Sequence, residues 1–442
     1  MNLTKHITSN KSRRVFWALF CRGIGVVLQF SVNIVIGQLF GVKGMGVYHI
    51  YSTCMVMLAD VTSLGLPVYT MRKISTYKNE QKYQQISIIL KQYLLLGIIS
   101  SLLLATPFIL SSHELSDFFL NNIEDAYILK YAAIAAILYL SIRIISVALK
   151  AIGLTNLGIL SESAILPFFV LLSIGLTKII TSIGTPETLI TIHISSLALV
   201  VILLYIFWIK QIKTKIKQCV ITNEEVNKIH GLKRSMLFIW CSMIINIWFT
   251  NLPVFILPQF VTTEEIGLFG VAFRLVILST TILVSLSALF GPQFISLFKN
   301  NSIQSLKKEL KHSQWYSLIA YLPFFITFVI FPEAILSVFG EEFIDAKNLL
   351  LILAVSHLIN SATGLSGYFL LMTHNEKSEL LILFSTFIFI LPFIFLSGNH
   401  YGILGVTTVY AIGIAIKNIS SLIFAHYVIN QLEKRGDHNE TT

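Results

Sequence analysis

Charged residues and cysteines are both scarce in this sequence. Only 12% of its 442 residues are Asp, Glu, Lys or Arg, about half the fraction of a soluble domain. Apolar residues make up 55% and the mean hydropathy is +0.78, which excludes a soluble enzyme and a disordered scaffold. Four cysteines are too few for a disulfide-stapled secreted protein. The composition predicts a polytopic membrane protein.

Motifs for bond chemistry are missing as well. The sequence has no glycine-rich phosphate loop followed by Lys-Ser or Lys-Thr, and no Cys/His cluster with metal-ligand spacing. A membrane glycosyltransferase or polysaccharide polymerase would need a large outer loop to hold sugar acceptors and catalytic acids. The longest predicted outer loops, about residues 109–126 and 333–347, are too short for this. We therefore predict that the protein is not an enzyme and uses neither a cofactor nor a metal ion.

Long apolar runs, in contrast, are abundant. A helix needs about 20 apolar residues to cross a hydrocarbon core of about 30 Å. Twelve stretches qualify: roughly 15–40, 47–70, 86–108, 127–149, 157–180, 188–208, 235–259, 267–290, 314–332, 348–371, 379–397 and 401–428. Because lipid offers no partner to free backbone groups, these stretches predict an all-α bundle of about twelve transmembrane helices.

Basic residues crowd alternate loops and so predict the orientation. One set of loops includes the dense group from Lys210 to Arg234, whereas the opposite loops contain only Lys43, Lys178 and Lys347. Loops rich in Lys and Arg stay in the cytoplasm, which predicts an inner-membrane protein with both termini cytoplasmic. The net charge of +10 is thus a topology signal, and no nucleic-acid partner is expected.

Three echoes in the sequence predict two parallel six-helix lobes. Gln38–Tyr48 pairs with Gln259–Phe269, Asp125-Ala126 with Asp345-Ala346, and Thr155-Asn156 with His374-Asn375, at offsets of 221, 220 and 219 residues. The predicted division is an N-terminal lobe at 1–208, a cytoplasmic linker at 209–234, and a C-terminal lobe with a short cytoplasmic tail at 235–442. The linker has isoleucines at helical spacing with lysines between them, which favours an interfacial amphipathic helix over a hinge or lipid sensor.

Four cations at membrane depth are the candidate substrate-binding residues: Arg22, Arg143, Arg274 and Lys417. Placing an ionisable side chain at that depth is energetically unfavourable, so such side chains usually face a cavity or a partner of opposite charge. Cations at several depths suit an anionic solute, and arginine binds phosphate oxygens bidentately. The alternative is that each cation snorkels to the interface or pairs with an acidic residue.

Two acids are the candidates for ion coupling. Asp60 lies near the middle of the second stretch, before Gly65-Leu66-Pro67, where we expect that a regular helix cannot continue past Pro67. Asp60 is interpreted either as a coupling-ion site or as a counter-charge for an arginine. Glu162, near the inner end of the fifth stretch, is the second candidate.

The residues Gly37-Gln-Leu-Phe-Gly-Val-Lys-Gly-Met-Gly-Val-Tyr48, Leu58-Ala-Asp60 and Gly65-Leu-Pro67 resemble the opening of bacterial Wzx-type O-antigen flippases. These belong to the superfamily that also contains the MATE multidrug exporters. The family pattern has Pro-Glu where this chain has Val42-Lys43, and places its aspartate closer to the Gly-Leu-Pro.

This resemblance implies two six-helix lobes around a central cavity that opens alternately to each side of the membrane. The implied substrate is an undecaprenyl-pyrophosphate-linked oligosaccharide, moved to the periplasmic leaflet in a cation-coupled cycle, with a polysaccharide polymerase and a chain-length regulator as further partners. A cation-coupled multidrug exporter of the same fold is the alternative, although it would favour an acidic cavity. A non-transporting scaffold for a polymerase is a third interpretation.

Overall fold

The computed structural model describes residues 2–120, 125–180, 185–216 and 234–440. Within these ranges the secondary structure consists of helices and turns, without strands. The chain divides by its internal contacts into two units. The first unit comprises Met1–Phe40 and Val47–Trp248, and the second comprises Gly41–Gly46 and Phe249–Thr442. The boundary therefore lies at Trp248, fourteen residues beyond the predicted end of the linker at 234.

The helices of the first unit are α1 (Asn2–Thr62), α2 (Leu66–Asn79), α3 (Tyr83–Leu110), α4 (Ser112–Leu120), α5 (Ala126–Ala151), α6 (Thr155–Ser163), α7 (Ile165–Ile180) and α8 (Pro186–Ile216). The next helix, α9 (Arg234–Ile256), begins in the first unit and ends in the second. The second unit continues with α10 (Thr263–Lys299), α11 (Ile303–Ile330), α12 (Pro332–Ser337), α13 (Lys347–Thr363), α14 (Ser366–Met372) and α15 (Glu376–Glu440). Short 3-10 turns cover Leu257–Gln259 and Glu341–Ala346.

All twelve predicted stretches lie on these helices. Six described helices are long and apolar enough to cross a membrane, and two bent pairs, α6 with α7 and α13 with α14, raise the number to eight. Two of the six are much longer than one crossing needs: Phe20–Thr62 has 43 residues and Glu376–Lys434 has 59. A straight helix of the first length would span about 65 Å, roughly twice the hydrocarbon core. Each of these two helices therefore contains two of the predicted stretches.

A glycine with positive φ divides each of the two long helices. Gly41 has φ 63° and ψ −167°, and Gly402 has φ 54° and ψ −133°. Glycine adopts such angles without the clash that a Cβ would cause. The chain therefore changes direction within one residue, and the loop expected between the first two stretches is replaced by a kink.

The second stretch ends earlier than the sequence suggests. We expected that a regular helix could not continue past Pro67, and the break comes earlier, since α1 ends at Thr62 and α2 begins at Leu66. The connection uses Leu64 and Gly65, both with positive φ. Pro67 lies in the first turn of α2, where its missing N–H is harmless because no intrahelical acceptor is available there. The break thus comes before the proline rather than at it.

Helix α5 is central to the first unit. It packs against α2, α3, α6 and α8, and 67% of its most apolar window is buried, the largest fraction among the six candidate spans. Ala132, Ala133, Ala136 and Ala148 are at most 1% exposed. Small side chains let membrane helices approach closely. In the second unit α13 has the corresponding place, against α10, α11 and α15.

Helix α8 extends beyond its predicted apolar stretch to Ile216. The first eight residues of the predicted linker, 209–216, therefore continue a membrane helix. Residues 217–233, which carry the rest of the predicted amphipathic pattern, lie outside the described part of the chain.

Candidate functional site

Asp60 is buried in the last turn of α1, and the carbonyls at this helix end need hydrogen-bond donors. A helix leaves its last four carbonyls without intrahelical partners. Ser63 Oγ donates to the Asp60 carbonyl at 2.8 Å, Trp240 Nε1 to the Val61 carbonyl at 3.0 Å, and Ser100 Oγ to the Thr62 carbonyl at 2.8 Å. These side chains come from the turn, α9 and α3. They satisfy a helix end in the middle of a predicted span.

Asp60 forms an ion pair with Arg143 of α5. Arg143 Nη1 donates to Asp60 Oδ1, and the two side chains are 22% and 8% exposed. The guanidinium carbon also lies 6.0 Å from the centroid of the Tyr139 ring, one turn earlier on α5, within the range of a cation–π interaction. In the structure Arg143 and Asp60 neutralise one another, which is the counter-charge alternative that the sequence left open for both residues.

Glu162 pairs with Lys150 rather than with an arginine. Lys150, in the last turn of α5, donates through Nζ to Glu162 Oε2 on α6, and the glutamate side chain is 37% exposed. The close packing of the two helices depends on Gly158, because a Cβ there would lie 2.6 Å from the carbonyl oxygen of Ser146. Glu162 is therefore held at the surface of the first unit by a neighbouring lysine.

Lys417 of the second unit has a partner that the sequence analysis missed. Its Nζ lies 2.7 Å from Glu379 Oε1, while Ser421 Oγ donates to Glu379 Oε2 at 2.7 Å. The pair fits beside α14 because residue 367 is glycine: a Cβ there would be 2.4 Å from Glu379 Oε1 and 3.1 Å from Lys417 Nζ. Glu379 is the first residue of the eleventh predicted stretch, so it resembled an interfacial acid. The kink at Gly402 folds α15 back and brings it to Lys417.

The other two candidate arginines lie on α10 and α1. Arg274 of α10 is half-buried, and its Nη1 lies 3.9 Å from the sulfur of Met45. Arg22 of α1 is exposed and has no ion-pair partner among the residues that the structure describes. One turn later, Gly25 packs against α6, where a Cβ would lie 2.5 Å from Ser163 Oγ. Arg22 thus projects from a helix whose next turn is packed tightly.

Two histidines on helices at membrane depth, His193 and His357, are buried. His193 Nδ1 lies 3.1 Å from the hydroxyl of Tyr51, and its ring packs edge-on against Tyr48 and Tyr51. His357 of α13 is 7% exposed, and its Nδ1 has no hydrogen-bond partner in the described part of the chain. We assign neither histidine to the candidate site.

Solved structures of membrane transporters are similar to this chain. An inward-facing MATE multidrug-resistance transporter of the MOP superfamily superposes with a TM-score of 0.72, at 14% identity over 95% of this chain and 99% of that one. An outward-facing MATE structure gives 0.63, at 12% identity over 95% and 96% of the two chains. The chain has the MATE fold.

A third structure with this fold is a MOP-superfamily transporter from Pyrococcus furiosus, described by its reversed binding-pocket polarity, with a TM-score of 0.64 at 13% identity over 95% of this chain and 96% of that one. Searches of protein-family profiles and of curated sequences gave no match. The expected all-α, MATE-like fold of a multi-span membrane protein is thus confirmed. At these identities the likeness concerns the fold, so the substrate has to be inferred from the side chains.

Proposed function

We propose that the chain moves an undecaprenyl-pyrophosphate-linked oligosaccharide of the O-antigen type from the cytoplasmic to the periplasmic leaflet of a bacterial inner membrane. The MATE fold supports transport as the class of activity, and the sequence motifs resemble those of Wzx-type flippases. In the proposed cycle, cation-coupled alternating access carries the charged headgroup while the polyprenyl tail stays in lipid. Both termini are proposed to be cytoplasmic.

Arg22 is the observation that carries this proposal. It is a guanidinium within a predicted span, exposed, and without a carboxylate partner in the described residues. A charged side chain in lipid is unfavourable by about 2.5–3.5 kcal/mol on insertion scales, so an unpaired one is expected to face water or an anionic ligand. A diphosphate offers oxygens that a guanidinium can bind through two parallel hydrogen bonds.

The remaining cations have different parts in the proposed mechanism. Arg274, which is half-buried on α10, is proposed as the second diphosphate ligand. Arg143 and Lys417 are already neutralised by Asp60 and Glu379, so they can bind an anion only by leaving a carboxylate. They are proposed to bind the diphosphate more weakly and later in the cycle. Asp60 or Glu162 is proposed as the group that binds the coupling cation.

A multidrug exporter is the second candidate, because solved MATE neighbours are described as multidrug transporters. Such a protein needs a carboxylate available to a cationic drug. In this chain Asp60, Glu162 and Glu379 each form an ion pair with a basic side chain. Their negative charge is therefore already compensated, which favours the anionic substrate.

The test is complementation of a deletion strain. We expect deletion to abolish surface polysaccharide and to leave lipid-linked repeat units on the cytoplasmic face, whereas a polymerase scaffold would leave them on the periplasmic face. Deletion that changed only drug susceptibility would support the exporter instead.

Variants of Arg22 sharpen this test. Arg22→Ala should reduce surface polysaccharide at least about tenfold, and Arg22→Lys should restore part of it because the charge remains but the bidentate geometry is lost. Lys308→Ala, which removes an exposed cation outside the predicted spans, is the matched control and should behave as wild type. Full activity of Arg22→Ala at normal abundance would refute the role of this residue.

A further inference from the structure

The first apolar stretch of α1 carries a second polar side chain without a partner, besides Arg22. Gln29 is half-buried, and its amide forms no hydrogen bond within the described part of the chain. Ser31, two residues later, differs from it, because its hydroxyl donates to the Val27 carbonyl at 3.0 Å. Helix α1 therefore satisfies its serine internally and leaves the amide of Gln29 available to another molecule.

Arg22 and Gln29 lie on one face of α1. Seven residues turn an α-helix by about 700°, so the two positions are only about 20° apart around the axis and about 10 Å apart along it. Phe20 and Val27, which are 51% and 64% exposed, lie about 140–160° away from Arg22 around the helix. One turn beyond Gln29 the same face reaches Asn33, which is 2% exposed. The accessible polar face thus runs from Arg22 to Gln29 and ends at Asn33.

The depth of Gln29 shows what this face is suited to meet. Gln29 lies near the middle of the predicted stretch 15–40, and an amide without a hydrogen-bond partner is strongly unfavourable in hydrocarbon. The apolar side chains of Phe20 and Val27 on the opposite face are the ones suited to lipid. The face with Gln29 is therefore expected to meet water or a polar ligand.

The chemistry of an amide favours a sugar as that ligand. Glutamine is uncharged, and its amide offers two N–H donors and a carbonyl acceptor. A sugar hydroxyl also both donates and accepts, so one amide can bind two neighbouring hydroxyl groups. A phosphate, in contrast, only accepts and is better bound by a guanidinium.

We propose that Gln29 is a sugar-binding residue, which hydrogen-bonds the hydroxyl groups of the sugar next to the diphosphate while Arg22 binds the diphosphate itself. The inference rests on the proposed function and deepens it, because it assigns the two parts of the headgroup to two residues of one helix. The separation of about 10 Å along α1 leaves room for the diphosphate at Arg22 and places the amide beside the first sugar.

Binding of two purified lipids to the full-length protein in detergent tests this assignment. Undecaprenyl diphosphate carries no sugar, and undecaprenyl-diphosphate-linked N-acetylglucosamine carries one. Gln29→Met should weaken binding of the sugar-bearing lipid about five- to tenfold, because the sugar hydroxyls lose their partner, and should leave binding of undecaprenyl diphosphate unchanged. Arg22→Ala should weaken binding of both lipids. Equal effects of Gln29→Met on the two lipids, or no effect on either, would overturn the assignment.

The variants have matched controls. Methionine has nearly the shape of glutamine and is apolar, so Gln29→Met should insert and fold normally. Ser31→Ala removes a hydroxyl that α1 satisfies internally and should leave the affinity for both lipids unchanged. If Gln29 instead paired with a second copy of the chain, Gln29→Met would convert a dimer into a monomer at unchanged lipid affinity, which would overturn the proposal.

The same measurements distinguish this inference from the proposed function. If the proposed function is wrong, the wild-type protein binds neither lipid. If only the role of Gln29 is wrong, the wild-type protein still binds undecaprenyl diphosphate, Arg22→Ala still weakens that binding, and Gln29→Met does not discriminate between the two lipids.

Discussion

At the residue scale, carboxylates determine which cations are available. Asp60, Glu162 and Glu379 each engage a basic side chain, so the positive excess within the predicted spans is smaller than a count of residues suggests. Removing one member of a buried ion pair destabilises the protein, because the remaining member keeps its desolvation penalty without the compensating attraction. Each pair is therefore open to the same experiment, in which one member and then both are neutralised.

The first prediction concerns the pair of Asp60 and Arg143. Asp60→Asn should lower the free energy of unfolding by about 3–5 kcal/mol, because it leaves a buried guanidinium uncompensated. Neutralising both members with Asp60→Asn and Arg143→Gln should restore most of this stability. Thermal unfolding in detergent and abundance in membranes measure both effects.

Transport by the double variant then separates the two interpretations of Asp60. If the aspartate takes the coupling cation, the restabilised double variant still fails to transport. Because Arg143 is also proposed to bind the diphosphate, the reference is Arg143→Gln alone: if Asp60 is only a counter-charge, the double variant transports at least as well as that single variant at matched abundance. A single Asp60→Asn variant that is fully stable would show that the ion pair contributes nothing to the fold.

The second prediction concerns Glu379, which the structure places 2.7 Å from Lys417 Nζ and within hydrogen-bond distance of Ser421. Glu379→Gln should destabilise the protein by about 2–3 kcal/mol, the range for losing a charged hydrogen bond in a mostly buried site. Glu333→Gln, which breaks the exposed pair with Lys347, should leave the melting temperature unchanged. Equal shifts for the two variants would mean that the Glu379 pair is no more important than a surface contact.

At the element scale, glycines with positive φ determine where the long helices turn. The third prediction compares Gly402, whose Cβ position has one neighbour at 3.7 Å, with Gly364, whose Cβ would lie 2.7 Å from the Cα of Gln314. Gly402→Ala should lower the stability by about 1–2 kcal/mol through backbone strain alone. Gly364→Ala adds a clash with a neighbouring helix and should cost roughly 1–3 kcal/mol more. Thermal unfolding ranks the variants, and Gly175→Ala is the control without either effect.

Helix location could be predicted from the sequence, whereas helix continuity could not. Apolar length placed all twelve stretches on helices, since a helix satisfies its backbone hydrogen bonds within a single apolar segment in lipid. The kinks at Gly41 and Gly402 look like loops in the sequence, because a single positive φ replaces several loop residues. The early end of α1 at Thr62 also left no sequence signal, since its carbonyls are satisfied by Ser100 and Trp240 from distant helices.

The candidate site shows the same division. Charges at membrane depth identify the residues worth considering, and pairing with Asp60 was one of the two interpretations of the arginines. The partners themselves could not be predicted, because 83 residues separate Asp60 from Arg143 and only the packed helices bring them together. Glu379 was missed because a carboxylate at the first residue of a stretch is indistinguishable from an interfacial one.

At the scale of the whole molecule, a large apolar surface remains exposed. Leu103 is 69% exposed, Ile423 66% and Leu381 66%, and these side chains lie on helices apolar enough to cross a membrane. In water such surface would aggregate, whereas in lipid it is solvated. The fold therefore requires a bilayer, and the charged loops determine how the chain is oriented in it.

The last prediction is the topology itself. Lys and Arg crowd the segment from Lys210 to Arg234, while the stretch around Glu342 carries acids. Cytoplasmic loops keep basic residues because these resist translocation, whereas acids have little influence. Reporter fusions at Lys215 and at Glu342 should therefore lie on opposite sides of the membrane, with Lys215 in the cytoplasm. A fusion at Lys308, in a predicted inner loop, should agree with the one at Lys215. If Lys215 and Glu342 reported the same side, the number of spans between them would be even, whereas the twelve-span arrangement requires the three stretches 235–259, 267–290 and 314–332.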